Sequence, residues 1–188
     1  MRTIEATTTI NAPLADVWRV LIAGEQYADW NPFIHVVFGD LAAGSRPTLR
    51  ITPPGKRGST FRPRVMQASP DAGLRWLGQL ILPGLCDADH EFKLTPTPDG
   101  RTQLTQRETF RGLLVPLLAG MLEPTRQGFE AMNSALRQRV DAIAVRDPRN
   151  DVIHAAPSSA SEQEYNVSVR TSTSSVPQPQ SLHPQSRP

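Results

Sequence analysis

A chain of 188 residues is one domain's worth of sequence with room for an appendage. Its formal net charge of +2 is too small for a reader of nucleic-acid backbone, and the basic residues are almost all arginine, with lysine only at Lys56 and Lys93. Apolar residues make up 38%, and the shortfall falls after Asn150, where Ser, Pro, Gln and Thr dominate.

The single cysteine, Cys86, excludes an intrachain disulfide and a zinc cluster. Met1-Arg2-Thr3-Ile4-Glu5 carries no apolar run and does not read as a signal peptide. No stretch of 18 apolar residues is present, so no membrane-spanning segment is expected. The expectation is a soluble, cytoplasmic protein whose oligomeric state is open.

Residues 2–10 read as a strand, rich in β-branched side chains, with Ile4, Ala6 and Ile10 alternating. Asn11-Ala12-Pro13 suits a helix start, and Leu14, Val17, Trp18 and Leu21 share one face of a short helix that ends by Gly24. A second short helix runs from 25 to 30 and is broken by Asn31-Pro32. Strands follow at 33–38, 47–52 and 59–67. Pro63 inside the last argues for an edge or a bulge. Further strands are expected at 74–81, 86–95 and 101–110, the last two joined by Thr97-Pro98-Asp99-Gly100, the clearest hairpin turn in the chain.

After an apolar connection at 112–120, residues 121–145 carry one apolar stripe: Leu122, Thr125, Phe129, Met132, Leu136, Val140 and Ile143. Pro124 fits near the start of this helix and Pro148 its end. Tight turns between consecutive strands imply antiparallel pairing, and segregated helices on such a sheet imply an α+β fold. The domain is expected to cover 1–146. Residues 147–188, with runs such as Ser172-Thr173-Ser174-Ser175 and Pro177-Gln178-Pro179-Gln180, read as a disordered Ser/Pro/Gln-rich tail.

Several segments resemble the START-like, helix-grip superfamily labelled SRPBCC or polyketide cyclase/dehydrase. They are Ile10-Asn11-Ala12-Pro13-Leu14-Ala15-Asp16-Val17-Trp18, Tyr27-Ala28-Asp29-Trp30-Asn31-Pro32-Phe33 and Leu74-Arg75-Trp76-Leu77-Gly78. His90-Glu91-Phe92-Lys93-Leu94, the run from Glu108 to Pro116, and Gly128-Phe129-Glu130-Ala131-Met132-Asn133 are similar to one branch of it. The resemblance implies a seven-stranded curved antiparallel sheet around the C-terminal helix, with two short helices after the first strand and a hydrophobic cavity between sheet and helix. It also implies a ligand class of lipids, quinones or polyketides. Some members catalyse cyclisation or dehydration, others are carriers or cochaperones, and no catalytic motif is common to all.

Strand alternation selects the residues facing that cavity. Ala88, His90, Phe92 and Leu94 share one strand face, and Leu104, Gln106, Glu108 and Phe110 share the facing one. Counting from the hairpin turn sets His90 opposite about residue 107, within a residue of Glu108. A buried His–Glu pair suits general acid/base work, and it also suits a buried polar pair that satisfies itself. Trp76 shares a face with Leu74, and Trp30 falls near the expected cavity mouth. Phe61, Phe110, Phe129 and Met132 are core residues that double as wall, and Asn133, one residue off the stripe, offers its amide.

Asp87, Asp89 and Glu91 form a solvated strand face rather than a converging metal cage, and no metal or cofactor is expected. The leading reading is a binder of a small hydrophobic molecule. A cyclase or dehydratase using His90 and Glu108 is the alternative. A protein-interaction module ranks third, since no exposed apolar patch is evident in the sequence.

Overall fold

The computed structural model describes residues 1–70, 73–79 and 84–146. The expected tail at 147–188, the stop at Pro148 and the end of the strand at residues 80–81 lie outside the described residues.

The chain is α+β, a curved antiparallel sheet closed over by a long C-terminal helix. Strand β1 (Arg2–Ile10) leads into α1 (Leu14–Ile22), a 3-10 turn at Gly24–Gln26 and α2 (Tyr27–Trp30). Next come β2 (Ile34–Phe38), β3 (Thr48–Ile51), β4 (Ser59–Phe61), β5 (Arg64–Ser69), β6 (Gly73–Gln79), β7 (Asp87–Pro96) and β8 (Thr102–Arg111). A 3-10 turn at Val115–Leu118 then delivers α3 (Ala119–Arg146), 28 residues long.

The strands lie in two sheets, β1-β8-β7-β6-β5 and β2-β3-β4. The expected single strand at 59–67 is split, because Pro63 cannot donate to a ladder. Arg62 and Pro63 therefore join the two sheets, and the described residues form eight strands where seven were expected. Within β5 the register shifts between Val65 and Gln67, a bulge that turns Met66 out to solvent.

On the concave face the register aligns rows of inward side chains. Ile4, Glu108, His90 and Trp76 make one row, and Ala6, Gln106, Phe92 and Leu74 the next. The convex face is polar, with Arg107 paired to Glu5 and Arg75 to Asp89. Phe129, Met132, Leu136 and Val140 of α3 are buried against the concave face and α1. Pro124, expected near the helix start where a missing N–H costs nothing, is the sixth residue of α3. Its ring lacks the N–H that the Gly120 carbonyl would otherwise receive. In the next step of the helix, the Thr125 hydroxyl donates to the Met121 carbonyl at 2.8 Å.

Candidate functional site

The sheet and α3 diverge at the N-terminal end of the helix and leave a cavity of about 170 Å³. Its sheet wall is built from Trp76, Ala88, His90, Glu108 and Phe110. The helix wall comes from Leu118, Met121, Leu122 and Thr125. The three-stranded sheet and its neighbours add Phe33, Ile51, Pro53, Ser59, Phe61 and Pro63. Exposed Arg57 lines the cavity from the loop between β3 and β4.

Local chemistry explains how Phe33 reaches the cavity. The Asn31 side-chain oxygen accepts the backbone N–H groups of Phe33 and Ile34, at 2.9 and 3.0 Å. This fixes the turn out of α2 and holds the Phe33 ring edge-on to Phe129, with centroids 5.7 Å apart.

His90 and Glu108 face each other directly across β7 and β8. His90 Nδ1 stands 3.8 Å from Glu108 Oε1. That is beyond hydrogen-bond length and within ion-pair range once the imidazole is protonated. His90 is 1% exposed, stacked on Phe92 at 4.5 Å, with Trp76 and Phe129 on its other sides. Its Nε2 has no hydrogen-bond partner among the described residues. The arrangement is an imidazole enclosed by aromatic rings, with one nitrogen directed at a carboxylate.

Cys86, also on the cavity wall, is buried. Burial, followed by the nearby Asp87 and Glu108 carboxylates, pushes its thiol pKa up, so it stays protonated and is a poor nucleophile at neutral pH.

Of the residues expected at the cavity, His90, Glu108, Phe61, Trp76 and Phe110 line it. Six do not. Phe92, Phe129 and Met132 are fully buried in the core beside the cavity, where the helix already touches the sheet. Gln106 and Asn133 are turned to each other instead: Gln106 Nε2 donates to Asn133 Oδ1 at 2.7 Å, and Asn133 Nδ2 donates to the Ala6 carbonyl at 3.2 Å. They clip α3 to β8 and β1, and neither lines the cavity. Trp30 packs edge-on against Tyr27 and is half-buried away from the cavity.

Cys86 continues the inward alternation of Ala88 and His90, a signal that sequence reading left unused. Met121, Leu122 and Thr125 lie at helical spacing at the start of the stripe. Pro53 and Arg57 sit on a loop with no periodicity to betray them.

The sequence profile of the polyketide cyclase/dehydrase and lipid-transport family matches residues 1–144. The chain belongs to this family. No protein of curated function matches it at a significant level. Among solved structures, the family fold recurs in TTHA0849 from Thermus thermophilus, at a TM-score of 0.60 and 16% identity over 76% of this chain and 99% of that one. A START superfamily protein from Mycobacterium smegmatis matches with a TM-score of 0.57 and 17% identity, covering 75% and 98% of the two chains. The di-domain ARO/CYC StfQ from the steffimycin biosynthetic pathway matches with a TM-score of 0.54 and 16% identity, over 77% of this chain and 50% of that one. At these identities the likeness is one of fold. Among the described residues, no helix of this family member is long and apolar enough to cross a membrane.

Proposed function

We propose that this domain binds a small hydrophobic molecule between the sheet and the N-terminal end of α3. The observation that carries the reading is the cavity itself: about 170 Å³, walled by Phe33, Phe61, Trp76, Phe110, Met121 and Leu122. An apolar cavity of roughly 150 Å³ holds one benzene-sized molecule. The portion of the ligand taken inside is therefore one ring or a short branched chain, and the remainder of a longer lipid, quinone or polyketide-like molecule projects past Arg57. Native mass spectrometry of the purified protein tests this. A co-purifying small molecule, displaced by single-ring apolar competitors, is the expected result. Absence of any bound mass, together with no saturable binding of an apolar fluorescent probe, would remove the reading.

A second reading is supported by one specific feature, the enclosed His90–Glu108 pair on the cavity wall. With Nδ1–H directed at the carboxylate, Nε2 is left as an acceptor, the arrangement of a general base for a proton next to a carbonyl. In this reading the protein is a cyclase or dehydratase of a polyketide-like substrate, with His90 taking the proton and Glu108 orienting the ring. Turnover of a model poly-β-ketone by the wild type and none by His90→Gln would support it, whereas binding without turnover leaves the carrier reading in place.

A further inference from the structure

The whole-chain charge of +2 conceals an uneven distribution. From Leu41 to Pro70 there is no Asp or Glu, and the same stretch holds Arg46, Arg50, Lys56, Arg57, Arg62 and Arg64. A total of +2 with these six cations here leaves −4 for the remainder of the chain. All six are exposed, and none makes an ion pair among the described residues.

The fold gathers four of these arginines round one exposed aromatic ring. In the three-stranded sheet, Leu49 and Phe61 are opposite each other and face inward, Leu49 into the core and Phe61 onto the cavity. Alternation therefore turns Thr48, Arg50, Thr60 and Arg62 to the outer face. Phe38 stands opposite Thr48 and is 75% exposed there. Strand β5 continues the surface. Val65 is buried opposite Trp76, so its exposed neighbour Arg64 lies on the outer side, and the bulge leaves Met66 51% exposed.

The loop at 39–47 joins the two parts. Gly39 packs so closely on Pro47 that a Cβ would lie 3.3 Å from the Pro47 Cα. Gly44 N–H donates to the Val65 carbonyl at 2.8 Å, and Val65 N–H donates to the Ser45 carbonyl at 3.0 Å. Arg46, between Ser45 and Pro47, thus bridges Phe38 and β5. The nearby carboxylates are engaged elsewhere. Asp40 accepts the Ala42 N–H at 3.0 Å. Asp89, across Leu77 from Arg64 in register, is held at both oxygens by Arg75.

This composition says what covers the surface. Phe, Met and Arg are the side chains enriched at protein–protein interfaces, and Asp and Glu are depleted there. An exposed ring among arginines matches an apolar anchor with a charged surround, and the guanidinium fork suits carboxylates. A long polyanion fits less well, because beyond these strands it meets the negative remainder, and a single exposed ring is no track for stacking successive bases. A bounded acidic surface meets neither obstacle.

We infer that the outer face of β2, β3 and β4, with Arg64 and Met66 of β5, docks a protein partner that presents carboxylates around an apolar side chain. The apolar side chain packs on Phe38, and the carboxylates pair with Arg46, Arg50, Arg62 and Arg64. The same strands give Ile51, Ser59 and Phe61 to the cavity on their other face, so the partner sits directly behind the cavity wall. The inference holds whatever the cavity binds.

The test is fluorescence anisotropy of the full chain with labelled probes: an oligoglutamate peptide, the same peptide with a central Leu-Leu pair, and an oligothymidylate of equal charge. The wild type should bind the Leu-Leu peptide most tightly, and added salt should weaken binding of both peptides. Arg50→Gln/Arg62→Gln should lose roughly tenfold or more for both peptides. Phe38→Ser should lose affinity for the Leu-Leu peptide alone and so make the two peptides equivalent. Arg137→Gln, an exposed change on α3, should leave both unchanged. All the altered side chains are exposed, so melting temperature and binding of an apolar fluorescent probe should match the wild type. No peptide binding, or equal binding by the double arginine variant, overturns the inference. Tighter capture of the oligothymidylate than of the Leu-Leu peptide overturns it in favour of a nucleic acid. A wild-type dimer that Phe38→Ser turns into a monomer, without peptide capture, overturns it in favour of a second copy.

Discussion

A Cβ placed on Gly128 of α3 would lie 2.3 Å from Cδ2 of Phe33. The Phe33 ring rests on bare helix backbone there, and this contact sets how closely β2 approaches α3 beside the cavity. Glycine inside a helix ordinarily costs about 1 kcal/mol relative to alanine, so Gly128→Ala would stabilise a helix with nothing above it. Phe33 is 2% exposed, and even its Cγ would be 2.9 Å from the new atom, so the ring has no room to swing aside. Gly128→Ala should therefore destabilise by about 1–3 kcal/mol, the usual overpacking cost, with loss of cavity-probe binding. Denaturant melts check it, and a gain of about 1 kcal/mol would show that Phe33 does not pack on the helix as described.

Phe129 carries the next prediction. It is fully buried and touches Phe33 and His90 edge-on, outside the cavity lining. Phe129→Ala should cost about 3–5 kcal/mol, because no existing void absorbs the lost ring. A loss under about 1 kcal/mol, seen together with weakened ligand binding, would instead place the ring on the cavity wall.

The Gln106–Asn133 clip makes a third. Its members are 0% and 2% exposed, and the Gln106 Oε1 already has no partner among the described residues. Asn133→Ala strands Gln106 Nε2 as well, at about 1–3 kcal/mol. Gln106→Leu in the same chain should return part of that loss, since removing both polar partners costs less than removing one. Strictly additive losses in a double-mutant cycle would rule out the coupling.

These contacts mark where sequence reading works and where it stops. Strand alternation selected His90, Gln106 and Glu108 as inward, because period 2 fixes the face whatever the strand packs on. The hairpin count gave His90 a partner near residue 107, and the register makes it Glu108. What alternation cannot supply is the gap between layers at each point. Phe92 and Phe110 share the inward face, yet the first is fully buried in the core and the second lines the cavity. The helix position of Asn133 allows it to face a ligand. The choice between ligand and Gln106 lay on a strand 27 residues away in sequence. The stretch from Gly112 to Gly120 reads as a plain apolar connection, because composition alone reports burial poorly at a turn.

The pH dependence follows from Asp89. A two-pronged hydrogen bond from Arg75, at 2.7 and 2.6 Å, holds its carboxyl below the usual carboxylate range. A depressed folded-state pKa contributes stability that is present above the unfolded value of about 3.9 and is lost as the pH falls through the lower folded value. Arg75 is nearly half exposed, so solvent screens the pair and the contribution is small. Asp89→Asn should lower stability slightly at pH 7, and the difference from the wild type should shrink as the pH drops below about 4. A difference that grew toward acid pH would contradict the assignment.

The last prediction separates the two roles open to His90 and Glu108. The His90 ring and the Glu108 carboxylate lie on the cavity wall, yet both are almost completely buried, so each substitution reports on stability and on the site together. If the pair serves only to satisfy itself, His90→Gln or Glu108→Gln weakens a buried polar contact, and each should cost about 1–3 kcal/mol with ligand binding reduced in proportion to the unfolded fraction. If the pair transfers a proton, turnover of a poly-β-ketone should fall roughly 10²–10⁴-fold in each variant while ligand affinity holds. The double variant should then lose little more than either single change, because the two groups act as one unit. The 3.8 Å separation favours a measurable stability change in either case, since a slight side-chain rotation brings Nδ1 into hydrogen-bond range of the carboxylate. Thermal melts and single-turnover assays on the three variants decide between them. Variants that match the wild type in both would show that the pair neither supports the fold nor acts on a ligand, and would remove it from the site.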